Sequence, residues 1–452
     1  MAIGSLLTQY YLREGIRDTA AYKALSATQV TEHRSRLLLL WQAFRKMQTP
    51  SEADTESEFI YPVLQQLGWE WLVQPKADKG RRDIPDALLF NTLVAKQAAQ
   101  PLAATQRFHH GAVVVENEAA RTNLDRSGAS GEAPASQILR YMARAETLSD
   151  GKLRWGLLTN GRTWRLYDVR ATSRAEGFVS LELADIVDPP PLAPLAVQAG
   201  APPDHWMRVF LLLFGRDAFV PEGPAGSTLI EDAIASGRTY RARITETLSA
   251  RLFDEVYPTL IQALGTHDPA AVPTDPAWRA SVQEGAIRLL YRLLFLFYAE
   301  DRALLPVHNP AYRDYSLQRL RAEAAKLLDQ GNTLSKGAFH RWSQMTDVFT
   351  AIADGSPDLQ LPAYNGSLFR NLPNDILARI RLPDAVLVPL VDAMSRTPGP
   401  AGERNWINYR DLSVQHLGSI YERLLEHDVI LAPLGRLSLR PSPYARKNTG
   451  SY

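Results

Sequence analysis

The chain has 452 residues, which at about 150 residues per domain implies roughly three domains and excludes a single small module. Hydrophobic residues make up 45% and charged residues 22%, the balance of a soluble globular protein, and the absence of cysteine removes disulfides, thiolate metal sites and cysteine nucleophiles and fits a cytoplasmic setting. With 50 Lys+Arg against 49 Asp+Glu the net charge is +1, so attraction to nucleic acid must come from local patches.

Residues 1–12 hold a short apolar stretch broken by Gln9 and followed by Arg13, Glu14 and Arg17, and no targeting segment is expected. Residues 1–48 read as a helical segment with Leu37, Leu38, Leu40, Trp41 and Phe44 on one face. A domain of mixed α/β type is expected over 49–187. It opens with Thr55 and Glu58 in capping-box spacing ahead of Phe59, Ile60, Val63, Leu64 and Leu67, and Pro62 predicts a kink in that helix. Strands are predicted at 69–73, 87–90 and 112–115, and a helix from 136 to 145. Residues 155–159 and 163–167 flank Asn160-Gly161, a pair suited to a type I′ hairpin turn.

The Pro-rich stretch 188–203 reads as a linker. Helical periodicity dominates 204–432, which is expected to form an all-α domain. Its most apolar window, 289–296, is interrupted or bounded by Arg288, Arg292, Glu300 and Asp301 and predicts a buried helix, with no membrane span.

Three acids stand in suggestive places. Asp86 heads the strand at 87–90, and Glu116 and Glu118 close the apolar run Val113, Val114, Val115. Side chains alternate along a strand, so Glu116 and Glu118 share a face, and a neighbouring strand brings Asp86 beside them. Clustered carboxylates at strand ends suit Mg²⁺, which takes hard oxygen ligands and leaves room for water and a phosphate. The chemistry is then metal-assisted attack of water on a phosphodiester. The nine histidines have no ligand spacing, and a phosphate-binding G-x-x-x-x-G-K-[ST] loop is absent.

Pro85-Asp86, Glu116-x-Glu118 and a following helix with Gln137 and Tyr141 resemble the PD-(D/E)XK nucleases of restriction enzymes. The strings E-F-I-Y-P-V-L (58–64), R-R-D-I-P-D-A-L-L-F (81–90), Q-I-L-R-Y (137–141) and W-G-L-L-T-N-G-R-T-W-R-L-Y (155–167) are similar to the amino-terminal nuclease of single-chain type IIG restriction-modification enzymes. In the helical half the strings at 292–306, 364–369 and 409–426 resemble the connector of the same enzymes. The resemblance implies Mg²⁺-dependent cleavage of double-stranded DNA, with Asp86 and Glu116 as metal ligands and Gln137 and Tyr141 placing the active-site strands or touching the DNA backbone. It also matches Glu58 to the acid of the first nuclease helix. Glu118 stands where the family normally has lysine, and it serves as base, as further metal ligand, or as the mark of a lapsed site.

Residues 433–452 resemble the opening of an adenine-N6 methyltransferase domain, ending in Thr449, Gly450, Ser451 and Tyr452. No F-x-G-x-G or N-P-P-Y follows, so S-adenosylmethionine is not an expected cofactor of this chain. Asp188-Pro-Pro-Pro191 lacks the aromatic that stacks on a flipped base. Lys76, Lys79, Arg81 and Arg82, close to Asp86, and Arg436, Arg440, Arg446 and Lys447 are candidate phosphate contacts. The alternative reading is a lapsed nuclease fold that binds DNA or serves as scaffold for a separately encoded methyltransferase and specificity half.

Overall fold

A mixed sheet of six strands forms the centre of the first half of the chain. The strands are β1 (Glu70–Val73), β2 (Ala87–Phe90), β3 (Val113–Asn117), β4 (Trp155–Thr159), β5 (Thr163–Asp168) and β6 (Phe178–Glu182), and they lie side by side in sequence order. The computed structural model describes residues 4–73, 84–127, 131–189, 204–221, 226–364, 366–370, 375–398, 402, 404–412 and 414–442. It divides into two units, Met1–Thr239 and Tyr240–Tyr452.

All strand pairs are antiparallel except β3 with β4, which are parallel and joined through the Pro134–Leu148 helix. The apolar runs of β2, β3 and β4 are buried on both faces, and this is why they lack polar alternation. On one face Ala87, Leu89, Val113 and Val115 join a core with Phe44, Phe59, Ile60 and Phe210; on the other Leu88, Phe90 and Val114 pack with Ile138 and Met142. The alternation of β3 between these two cores is what later separates Glu116 from Asn117.

Several local expectations are corrected. Helix 52–66 is capped by Ser51, whose hydroxyl accepts from the Asp54 amide while Asp54 accepts from the Ser51 amide. Thr55 already has helical backbone angles and is buried, its hydroxyl donating to the Ser51 carbonyl at 2.8 Å, so Thr55 and Glu58 form no capping box. Around Pro62 the helix widens, passing from Glu52–Thr55 through a π-helical segment, Glu56–Ile60, into Tyr61–Gln66. The β4–β5 turn is not type I′, because Thr159 pairs with Trp164 across a four-residue loop and Gly161 alone has positive φ (82°). Asn160 instead accepts the amides of Arg162 and Thr163 with its side-chain oxygen, at 3.1 and 2.9 Å.

Residues 1–48 do not stand apart, since Leu7, Leu12, Val30, Leu37 and Phe44 share the first core. The helix His205–Phe214 and residues Ile230, Ala233 and Ile234 join it too, so the expected start of the helical domain at 204 gives way to a boundary within the Leu229–Arg251 helix. The second unit is helical around Pro276–Asp301, but it also carries two antiparallel ribbons, β7 (Arg396–Pro398) with β8 (Arg404–Trp406) and β9 (His427–Leu431) with β10 (Leu437–Pro441). It is therefore not all-α. Residues 190–203 of the expected linker and 443–452 of the expected methyltransferase opening lie outside the described residues. Among the described residues no helix is long and apolar enough to cross a membrane.

Candidate active site

The site is assembled where β2 begins and β3 ends. Asp86 stands immediately before Ala87, whose pairing with Val115 brings the head of β2 to the end of β3, where Glu116 follows Val114 onto the face covered by the Pro134–Leu148 helix. Asn117 turns to the other face, toward the Glu52–Gln66 helix. Asp86 Oδ2 accepts the backbone amide of Asn117 at 2.8 Å. The Asn117 side-chain amide donates to Glu56 Oε1 at 3.1 Å and to the Tyr61 hydroxyl at 3.5 Å.

Carboxylate oxygens of Glu52, Glu56 and Asp86 all lie within 4.8 Å of one another. Glu116, 4% exposed, accepts from the Gln137 side-chain amide through Oε1, and that amide also donates to Tyr141 Oη at 2.9 Å. Its second oxygen, Oε2, is buried and has no hydrogen-bond partner among the described residues, and neither does Asn117 Oδ1. Glu118 is tied by its amide to the Thr159 carbonyl at 2.9 Å.

Two of the acids, Glu116 and Glu118, hold their protons more tightly than free carboxyls. Burial holds the Glu116 carboxyl well above the usual carboxylate range, the charges of Asp86, Glu118 and Glu52 add to it, and Arg140 opposes them. Glu118 is pushed up to about 7 by burial and by Glu52, against a hydrogen bond from Thr122. Burial and the charges of Glu56 and Asp86 also raise the Tyr61 phenol. Arg140 stacks over the Tyr141 ring, 4.9 Å from its centroid, and pairs with Glu132 at 3.0 Å.

Of the residues singled out in the sequence, Asp86, Glu116, Glu118, Gln137 and Tyr141 come together. Glu58 does not; it is exposed and accepts from the Ser57 hydroxyl. Lys76, Lys79, Arg81 and Arg82, with Arg446 and Lys447, lie outside the described residues. Sequence reasoning missed Glu52, Glu56, Asn117 and Arg140. The available signal was the four-residue spacing of Glu52 and Glu56, which places both on one helical face. The donor set consists of carboxylates without sulfur or imidazole, which suits a hard divalent cation, and the orphaned Glu116 Oε2 fits the same group.

The strings of the second unit meet as architecture. Arg292 donates through Nε to the Leu368 carbonyl at 2.7 Å and through Nη2 to the Arg370 carbonyl at 3.1 Å. Asp301 accepts the Tyr409 amide at 2.9 Å and pairs with Arg321 at 3.1 Å. Asp188, at the head of the proline run, pairs with Arg45 at 2.7 Å.

Compared with known proteins, the chain matches no family model, no curated sequence and no solved structure.

Proposed function

We propose that the first unit is a Mg²⁺-dependent DNA endonuclease of PD-(D/E)XK type, and that the chain is the amino-terminal part of a type IIG-like restriction-modification enzyme. The observation that carries this reading is Glu116 Oε2, a buried carboxylate oxygen with no donor that feels the negative charges of Asp86, Glu118 and Glu52. Such an arrangement is costly unless a cation completes it. Asp86, Glu52 and Glu56 would hold the ion, and Glu116 feels the charges of Asp86 and Glu52. A divalent ion bound there supplies Lewis-acid stabilisation of charge on a phosphoryl oxygen and a lowered pKa for its water.

The chain's own residues do the rest. Gln137 fixes the Glu116 carboxyl through Oε1, and Asn117 fixes Asp86 through its backbone amide. Glu118, pushed up to about 7, is a carboxylate able to take a proton from water near neutral pH. Arg140, paired with Glu132 at 3.0 Å, is the cation whose charge acts on Glu116. The partner is double-stranded DNA, with a separately encoded methyltransferase and specificity half as the second. A lapsed, scaffolding role is the rival reading, and Glu118 in the lysine position is the observation that favours it.

Nicking of supercoiled plasmid in Mg²⁺ or Mn²⁺, with the chain alone and with a methyltransferase half supplied, tests the reading. Wild-type protein is expected to nick and Asp86→Ala to be inactive, while Glu118→Lys changes the rate modestly or lowers it, by at most about 10²–10⁴-fold, the range of a single acid–base contribution. Nicking that appears only in Glu118→Lys, and vanishes again when Asp86→Ala is added, assigns the natural chain to the scaffolding role.

A further inference from the structure

Two helices widen at the same dipeptide. Glu56–Ile60 and Leu252–Val256 are both π-helical, and in each the amide closing the wide turn belongs to a tyrosine that precedes a proline: Tyr61 donates to the Glu56 carbonyl and Tyr257 to the Leu252 carbonyl. Proline supplies the cause, because it has no N–H to give and its ring crowds the carbonyl four residues back. A turn closed over five residues accommodates both faults. In the second unit the wide turn carries buried Leu252 and Val256 beside Asp254 and Glu255, so the feature the two turns share at one position is the Tyr-Pro dipeptide.

In the first unit the same turn decides what the side chains can reach. Five residues along an α-helix a side chain points roughly 140° away, whereas the wide turn brings residue 61 back toward the side of residue 56. Glu56 and Tyr61 accordingly both reach the one Asn117 amide, at 3.1 and 3.5 Å. Tyr61 is itself pinned, its ring stacked on Trp71 of β1 with centroids 5.6 Å apart and planes 8° from parallel. With Glu56 held this way, Glu52 one turn earlier falls beside Asp86.

We infer that Pro62 is a positioning residue of the acid cluster: it keeps the helix in its wide register, and that register presents Glu52 and Glu56 to Asp86. The inference rests on the reading of the cluster as a cation site, and its test separates the two. In protein labelled with ¹⁵N-asparagine, the Asn117 side-chain amide is assigned by its loss in Asn117→Asp. Pro62→Ala and Pro62→Ser each restore an N–H and allow the narrow register, and both are expected to shift that resonance and to weaken Mn²⁺ binding, measured by calorimetry, by about tenfold or more. Pro258→Ala is expected to leave both readings unchanged. Asn117→Ala, which keeps the proline, is expected to weaken Mn²⁺ binding as well. A folded Pro62 variant with the wild-type Asn117 resonance overturns the inference, as does wild-type Mn²⁺ affinity in Asn117→Ala. If the resonance shifts but wild-type protein binds no Mn²⁺, the positioning role stands and the cation site fails.

Discussion

Glu116 in the first unit and Glu300 in the second are both buried carboxylates with acids nearby, yet their partners differ in kind. Glu300 accepts from the Tyr312 hydroxyl at 2.8 Å, the Leu317 amide at 2.8 Å and the Gln318 amide at 2.7 Å, so both of its oxygens are used. Its neighbour Asp301 is matched by Arg321 and by the Tyr409 amide. Glu116 has one side-chain donor on one oxygen, no donor on the other among the described residues, and the charges of Asp86, Glu118 and Glu52 acting on it. Acids that face amides and guanidinium groups hold helices in place, as Glu300 does at the start of Leu317–Asp329. Acids that face acids do the opposite of holding, and their cost is the mark of a site.

The contrast breaks most visibly at Arg321. Its guanidinium lies over the rings of Phe297, Trp406 and Tyr409, at 5.0, 5.5 and 5.6 Å, and donates to the Ile407 carbonyl at 2.8 Å. Arg321→Met strips Asp301 of its cation and is expected to cost the second unit roughly 3–5 kcal/mol, read as lost hydrogen-exchange protection in the Leu317–Asp329 helix. A loss under about 1 kcal/mol, the scale of an exposed pair, removes the network from the architecture.

A second test uses pH. Burial lifts Glu300 from 4.5 to about 7 against its three donors. The folded state therefore keeps a proton that the unfolded chain releases. The stabilisation is complete below about 4.5 and is lost as pH rises through about 7, a span worth roughly 3 kcal/mol. Protection of the same helix is expected to fall between about pH 4.5 and 7 at about that scale, and Glu300→Gln to flatten the dependence. An equal slope in both proteins places the titrating group elsewhere.

The smallest effect has the opposite sign. Glu116→Gln keeps the acceptor for Gln137 and removes a buried carboxyl that neighbouring acids disfavour in its charged form, so the first unit is expected to gain about 1–2 kcal/mol while plasmid nicking is lost. A destabilised variant refutes the repulsive account of this carboxyl.

The pairing of Asp86 with Glu116 was legible in the sequence because each acid adjoins an apolar run that can only be a buried strand. Gln137 and Tyr141 were singled out by the resemblance to PD-(D/E)XK nucleases, and the helix between β3 and β4 sets Gln137 against Glu116 and Tyr141. Glu52 and Glu56 were not, because their approach to Asp86 depends on a wide turn set by Pro62 and on the reach of Asn117 from another element. The ribbons of the second unit escaped notice because strands such as Arg404–Trp406 are three residues long and carry no alternation. Likewise the membership of His205–Phe214 in the first core cannot be read from periodicity, which reports an apolar face and not the surface that covers it.

The proposed cation site of the first unit makes a direct thermodynamic prediction. Thermal unfolding of wild-type, Asp86→Ala and Glu116→Gln proteins across a Mg²⁺ titration tests it most directly, since a ligand that binds only the folded state raises the melting temperature with its concentration. A rise is expected for wild-type protein, none for Asp86→Ala and a reduced rise for Glu116→Gln; the same response in all three, or none in any, contradicts a cation site at these acids.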